Sequence, residues 1–223
     1  MEGCNQRMKK AVEDGEFGKM ILATAQVKWY RTQDYYEANG GWRGTWDMDG
    51  GGSLMNQSVH TIDLMQWMMG PAESVIGVTT VCTHNIETED LGTAIIKFKN
   101  GALGTIVGST SIYPGFDEQL EIHGVDGSAF MSGNEITSWK VRDDKADEIE
   151  RDILAEYGPR EAGSGGASDP SAIAQNTTFI QLQDMVDAVK ENRKPVIEGR
   201  DGRASVEIIQ AIYESARLGK EVF

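Results

Sequence analysis

Apolar and polar positions change rhythm several times along the chain, and each rhythm predicts an element. From Cys4 to Gly15, Met8, Ala11 and Val12 share one side of a short helix that Gly15 ends. Met20 to Tyr30 alternates Ile21, Ala23, Ala25, Val27 and Trp29 with Thr24, Gln26 and Lys28, the period of a half-covered strand. Arg31 to Gly52 has no period and reads as a long loop rich in aromatic rings. Helical spacing returns after Gly50-Gly51-Gly52. Ser53 is the expected N-cap, and Leu54, Met55, Val59, Ile62, Met65 and Met69 form a broad apolar face that Gly70-Pro71 ends.

The text then turns to strands: Ser74 to Cys82, Leu91 to Phe98, Leu103 to Ser111, Glu118 to Gly124, Ser128 to Ser132 and Glu135 to Val141. Asn100-Gly101, between the second and third, is a strong hairpin signal. The succession predicts a meander and a mostly antiparallel sheet. In the hairpin, neither Leu91, Thr93 and Ile95 with Leu103, Thr105 and Val107, nor Ala94, Ile96 and Phe98 with Ala102 and Ile106, is polar enough to mark a water-facing side. Residues 143–168, charged and then Gly/Ser-rich, read as a mobile, exposed excursion. Asp169-Pro170 starts a helix to about Asn192, with Phe179, Leu182, Met185, Val186 and Val189 as its core stripe. A last helix follows from Gly202 to Leu218. These elements make one α+β domain over residues 1–223, an open, mostly antiparallel sheet with helices on one face, led by the helix within residues 1–15.

Composition narrows the function. Thirty-five acidic against 21 basic residues, net −14, argue against a nucleic-acid partner. No apolar run approaches the ~18 residues of a membrane span. Cys4 and Cys82 lie far apart, without metal or redox spacing, and read as free thiols of a reducing, cytoplasmic compartment. The start Met1-Glu2-Gly3-Cys4 is no signal peptide and predicts a fragment whose upstream part is missing. No strand leads into G-x-G-x-x-G, so no Rossmann domain is expected in this chain.

Chemistry concentrates on the polar side of the central helix, where Asn56, His60, Asp63 and Trp67 fall in one stripe. The stripe reads either as a solvated surface or as a site, and the glycine run leaves the helix N-terminus open to an anion. The rings of the preceding loop, Tyr35, Tyr36, Trp42 and Trp46, either pack as a satellite cluster, or Lys28 at the end of the strand with Arg31, Tyr35, Tyr36 and Arg43 of the loop walls a pocket beside His60. His60, His84 and His123 share no metal-ligand spacing, which leaves a metal hydrolase as the last of the readings.

The run Gly50-Gly51-Gly52-Ser53-Leu54-Met55-Asn56-Gln57-Ser58-Val59-His60-Thr61-Ile62-Asp63, with Trp67 and Gly70, resembles the C-terminal domain of the Gfo/Idh/MocA oxidoreductases, the glucose–fructose oxidoreductase and inositol dehydrogenase family. Lys28-Trp29-Tyr30-Arg31, Arg43-Gly44-Thr45-Trp46 and the ending from Gly199-Arg200-Asp201 to Gly219-Lys220 are similar in kind. The resemblance implies the substrate-binding and oligomerising half of an NAD- or NADP-dependent dehydrogenase, its cofactor held by a missing N-terminal Rossmann domain, and a chain inactive alone. It implies His60 as general base on a hydroxyl of a sugar, sugar derivative or cyclic polyol. Asn56, Asp63, Lys28, Arg31, Tyr35, Arg43 and Trp46 are the substrate-binding candidates. Many members carry Asp one turn before the histidine; Asn56 implies hydrogen-bonded orientation of substrate instead and leaves nucleotide-linked sugars open. The family's lysine in E-K-P has no counterpart in Lys194-Pro195. A homodimer or homotetramer through the open sheet face is expected. The alternative is a non-catalytic carbohydrate-binding or scaffold protein without a cofactor domain.

Overall fold

The computed structural model describes residues 3–159 and 176–223. Its centre is a seven-stranded open sheet built from β1 (Met20–Lys28), β2 (Ala72–Thr80), β3 (Leu91–Phe98), β4 (Leu103–Ser109), β5 (Gln119–Gly124), β6 (Gly127–Ser132) and β7 (Glu135–Val141). Strand order is β2-β3-β4-β1-β5-β6-β7. The later strands form two antiparallel runs, and β1 lies between them, parallel to β4 and antiparallel to β5. A simple meander is therefore broken at its middle. The position suits β1, because Ala23, Ala25 and Val27 are small or β-branched and all buried. At the β3–β4 hairpin Gly101 takes φ +88°, and Asn100 Oδ1 accepts the Ala102 N–H at 2.9 Å.

Helices cover one face. The buried side of the hairpin is Ala94, Ile96 and Phe98 with Ile106, and it continues through Leu120, Ile122, Met131, Ile136 and Trp139. On this core lie α1 (Gly3–Asp14), α3 (Val59–Met69), α4 (Ala146–Tyr157) and α6 (Gly199–Leu218). The opposite face carries exposed Ile76, Val78, Ile95 and Leu103 among threonines. A capping box between Glu198 and Asp201 opens α6, which buries Ile208, Ile209 and Ile212 and ends at left-handed Gly219. Among the described residues no helix is long and apolar enough to cross a membrane.

Three expectations change. The loop Arg31–Gly52 contains the short, kinked helix α2 (Gln33–Gly41). The excursion expected over residues 143–168 holds α4, whose Ile153 is buried and whose Glu150 binds Lys140 of β7; residues 160–168 lie outside the description, as does the Asp169-Pro170 start. Helix α5 is described as Asn176–Glu191, and its expected core stripe is exposed throughout.

Candidate active site

Beside the face covered by helices, the glycine run meets the central helix, which does not begin as an α-helix. Ser53–Ser58 is a π-helical turn, and α3 continues from it. Ser53 is no N-cap: its hydroxyl donates to the Gly108 carbonyl at 3.1 Å. The turn lies almost on the sheet. A Cβ on Gly108 would stand 2.4 Å from Ser58 Oγ and 2.8 Å from a Leu54 methyl, so only glycine lets Leu54 seat there.

The N-terminus expected to receive an anion already holds one of the chain's own. The carboxylate of Glu89, buried before β3, accepts the N–H groups of Gly52 (3.1 Å) and Leu54 (2.8 Å) and the Tyr213 hydroxyl (3.1 Å). Ser53 N–H donates to the Glu89 carbonyl at 3.0 Å. Burial raises the Glu89 carboxyl above the usual range, against the lowering effect of these donors. A Cβ on Gly52 would stand 1.8 Å from the Glu89 carbonyl, so the contact requires glycine. These residues leave no cradle for a cofactor's phosphates at this turn.

Past the turn, a polar chain crosses to the α2 loop. Gly44 N–H donates to Asp49 Oδ2 (2.8 Å), Asn56 Nδ2 to Asp49 Oδ1 (2.7 Å), and Gln57 Nε2 to both Asn56 Oδ1 and Tyr35 Oη (3.1 Å each). The Gln57 carbonyl oxygen is buried and has no hydrogen-bond partner. The Arg43 guanidinium lies 4.6 Å from the rings of both Tyr35 and Trp42, and that of Arg31 4.9 Å from Trp29 and 5.5 Å from Tyr35. Two cations thus flank the tyrosine that holds Gln57. Behind them, Tyr36 packs on His84 and bonds Thr110 at 2.7 Å; burial pushes its hydroxyl up to about 12. His84 spans Asp90 Oδ2 (2.8 Å) and the Arg31 carbonyl (2.9 Å), fixing the base of the segment.

The candidates read from sequence divide by place. Arg31, Tyr35, Arg43 and Asn56 meet in this cluster. His60 is exposed on the first turn of α3. Asp63 lies one turn beyond, where burial raises its carboxyl and Ser205 of α6 and His60 lower it. Trp46 stacks edge-on to Tyr213 at 5.2 Å and donates to the Glu87 carbonyl, beside the Glu89 anchor. Lys28 belongs to the strand side of Thr24, whose hydroxyl meets that of Thr105, and so to the open face opposite α3. Trp67 leaves the stripe as well: Lys9 of α1 lies 5.5 Å over its ring and bonds its carbonyl. His123 bonds Ser128 within β5 and β6, away from both His60 and His84. Sequence reasoning missed Gln57, Asp49 and Glu89. Gln57 was legible only as the neighbour of Asn56, since a helical wheel at constant pitch places it off the stripe.

The GFO/IDH/MocA C-terminal domain family matches residues 5–130, more than half of the chain. Myo-inositol 2-dehydrogenase of Thermotoga maritima is 24% identical over 227 residues, covering 97% of this chain and 60% of that protein. Among solved structures, the WlbA dehydrogenase of Bordetella pertussis, in complex with NADH and UDP-GlcNAcA, is 31% identical with a TM-score of 0.78, over 98% of this chain and 61% of that one. The WlbA dehydrogenase of Chromobacterium violaceum, in the same kind of complex, is 34% identical with a TM-score of 0.79, over 98% and 59%. The chain spans about three fifths of the length of each. On the match over residues 5–130 and the likeness to these two structures, the chain belongs to the GFO/IDH/MocA family and corresponds to its C-terminal domain.

Proposed function

We propose that this chain is the substrate-binding and oligomerising domain of an NAD(P)-dependent oxidoreductase that oxidises a hydroxyl of a sugar or sugar derivative, with His60 as general base. The observation that carries the reading is the orphaned Gln57 oxygen, buried one turn before the exposed imidazole of His60. A buried amide oxygen without a donor costs roughly 1–3 kcal/mol, which a substrate hydroxyl would recover. Asn56, engaged by Asp49 and Gln57, orients this acceptor. Arg43, half-buried over Tyr35, favours a sugar that carries a carboxylate or phosphate, and the UDP-GlcNAcA in the two WlbA structures favours a nucleotide-linked sugar acid over a plain polyol.

In this reading, His60 accepts the hydroxyl proton as the carbon beneath is oxidised, with Asp63 one turn away on the same helix. Glu89 already occupies the glycine turn, which supports a reading in which the nicotinamide cofactor, the hydride acceptor, is held by a second domain. The open sheet face, with Ile76, Val78, Ile95 and Leu103 exposed, is the proposed two-fold contact between copies. The test of the base is His60→Ala in the complete enzyme. It should lower kcat by ~10²–10⁴ and change KM less. An unchanged kcat would make His60 a surface residue.

A further inference from the structure

His84 is a buried ring that the proposed chemistry leaves unused, and its two bonds define its charge. Its side chain is 4% exposed, and that of Asp90 is fully buried. Nε2 lies 2.9 Å from the Arg31 carbonyl, an oxygen that can only accept, so Nε2 carries a proton. Nδ1 lies 2.8 Å from Asp90 Oδ2. That carboxylate also receives the backbone N–H groups of Cys82 (2.6 Å), Thr83 (2.9 Å) and His84 (3.1 Å), which hold it ionised. It too can only accept, so Nδ1 carries a second proton. The hydroxyls of Thr83 and Ser111 stand farther from Nδ1, at 3.2 and 3.5 Å, and bond each other at 2.8 Å. The ring therefore makes both bonds only as imidazolium, a cation that Asp90 balances and the Tyr36 ring covers at 4.7 Å.

Resting on the function proposed above, we infer that His84 is a positioning residue, a latch whose cation holds the substrate-binding segment and whose neutral form releases it. A neutral ring keeps one N–H. The carboxylate is the stronger acceptor, so that proton stays on Nδ1, and the Nε2 lone pair then faces the Arg31 carbonyl. Attraction becomes repulsion, and the backbone at Arg31 is pushed away from His84. Arg31 lies two residues before α2, and its guanidinium stands 5.5 Å from the ring of Tyr35, whose hydroxyl accepts Gln57 Nε2. The proton on His84 thus acts, through Arg31 and Tyr35, on the amide whose buried oxygen lacks a donor. His60 lies on α3, outside this chain of contacts, so binding responds to the latch more than the chemical step does. Of the charged and titratable groups around the ring, Asp90 and Tyr36 touch it and Arg31 meets it through its carbonyl. Cys82 acts on Asp90, and Glu89 and Tyr35 act on Tyr36. Burial pushes Tyr36 up to about 12, and desolvation, then Asp90, raises Cys82, so neither changes charge where an imidazole does.

A pH titration of the isotope-labelled 223-residue chain, followed by long-range proton–nitrogen correlation spectra, tests this, with His84→Gln assigning one of the three histidines. Over a range of about pH 5 to 9, both ring nitrogens of His84 should carry protons at the acid end and Nε2 should lose its proton as the pH rises. The backbone amides of Arg31 and Tyr35 should shift at the same midpoint. A ring that never holds both protons would overturn the inference, and so would a ring that titrates while those two amides stay still. In the complete protein, KM for UDP-GlcNAcA should rise roughly tenfold across that midpoint, the worth of one charge-assisted hydrogen bond, with kcat changing less. His84→Gln, which keeps a donor for only one of the two acceptors, should raise KM at the acid end and leave it flat with pH. A KM that stays constant or falls across the midpoint in the parent would also overturn the inference. No turnover of the sugar nucleotide by the complete protein would instead overturn the functional reading, while the spectra still decide the state of the ring.

Discussion

At the scale of single residues, two neighbouring carboxylates hold the site from opposite electrostatic positions. Burial raises Glu89, and its value lies in geometry: two backbone N–H groups and the Tyr213 hydroxyl converge on it. Glu89→Gln keeps the shape but turns an amide N–H toward donors. We expect a loss of about 1–3 kcal/mol in urea melts, with an intact fold at low denaturant; no loss would show that the turn holds itself. Burial also acts to raise Asp90, but the N–H groups of Thr83 and Cys82, then Ser111 and His84, outweigh it and hold the carboxyl at about 2. An unfolded aspartate titrates near ~3.9, so the folded state binds the proton less tightly. The stabilisation is complete above pH ~4 and is lost as pH falls through 2; for a buried group it amounts to roughly 2–3 kcal/mol. Thermal melts of Asp90→Asn and the parent should therefore differ most at neutral pH and converge at acid pH. A gap that does not narrow would assign the effect to packing alone. Neither carboxylate was legible in the sequence: Thr88-Glu89-Asp90 carries no period, the partners of Glu89 lie 35 or more residues away at Gly52, Leu54 and Tyr213, and Asp90 is held mainly by backbone N–H groups of Cys82 and Thr83 that no residue type announces.

At the scale of elements, periodicity identified most strands and the helices on the sheet, since alternation and the Asn100-Gly101 turn are local signals. It failed where pitch or partner is not local. The π-helical turn shifts the phase of the central helix, so Met68 joins Met65 and Met69 in the core, while Gln57 turns toward Tyr35. In α5 the stripe was read correctly as apolar and wrongly as core, because a pattern states that a face seeks cover without saying what covers it. The π-turn's seat on the sheet gives a direct check. Gly108→Ala would press a methyl against Ser58 and Leu54, and overpacking of this kind costs about 1–3 kcal/mol. An unchanged denaturation midpoint would show that the turn can lift from β4 freely.

At the scale of the molecule, one sheet divides the proposed tasks. Its covered face carries the π-turn, α3 and the polar cluster, and its open face offers aliphatic side chains among threonines to a second copy. Such an interface should bury at least ~1,000 Å². Light scattering of the chain at micromolar concentration should show a dimer or tetramer; a clean 24.4 kDa monomer would remove the open face from the account. The family was legible in Gly50 to Asp63 because that run combines a close approach with a polar stripe. In the proposed enzyme this chain presents a hydroxyl to His60 while another domain brings the cofactor. The measurement that meets it most directly is formation of reduced nicotinamide from a UDP-linked sugar acid, followed in parallel for the complete protein and for the 223-residue chain. Turnover is expected from the complete protein and none from the chain. Reduced cofactor produced by the purified chain alone, free of host dehydrogenases, would contradict it.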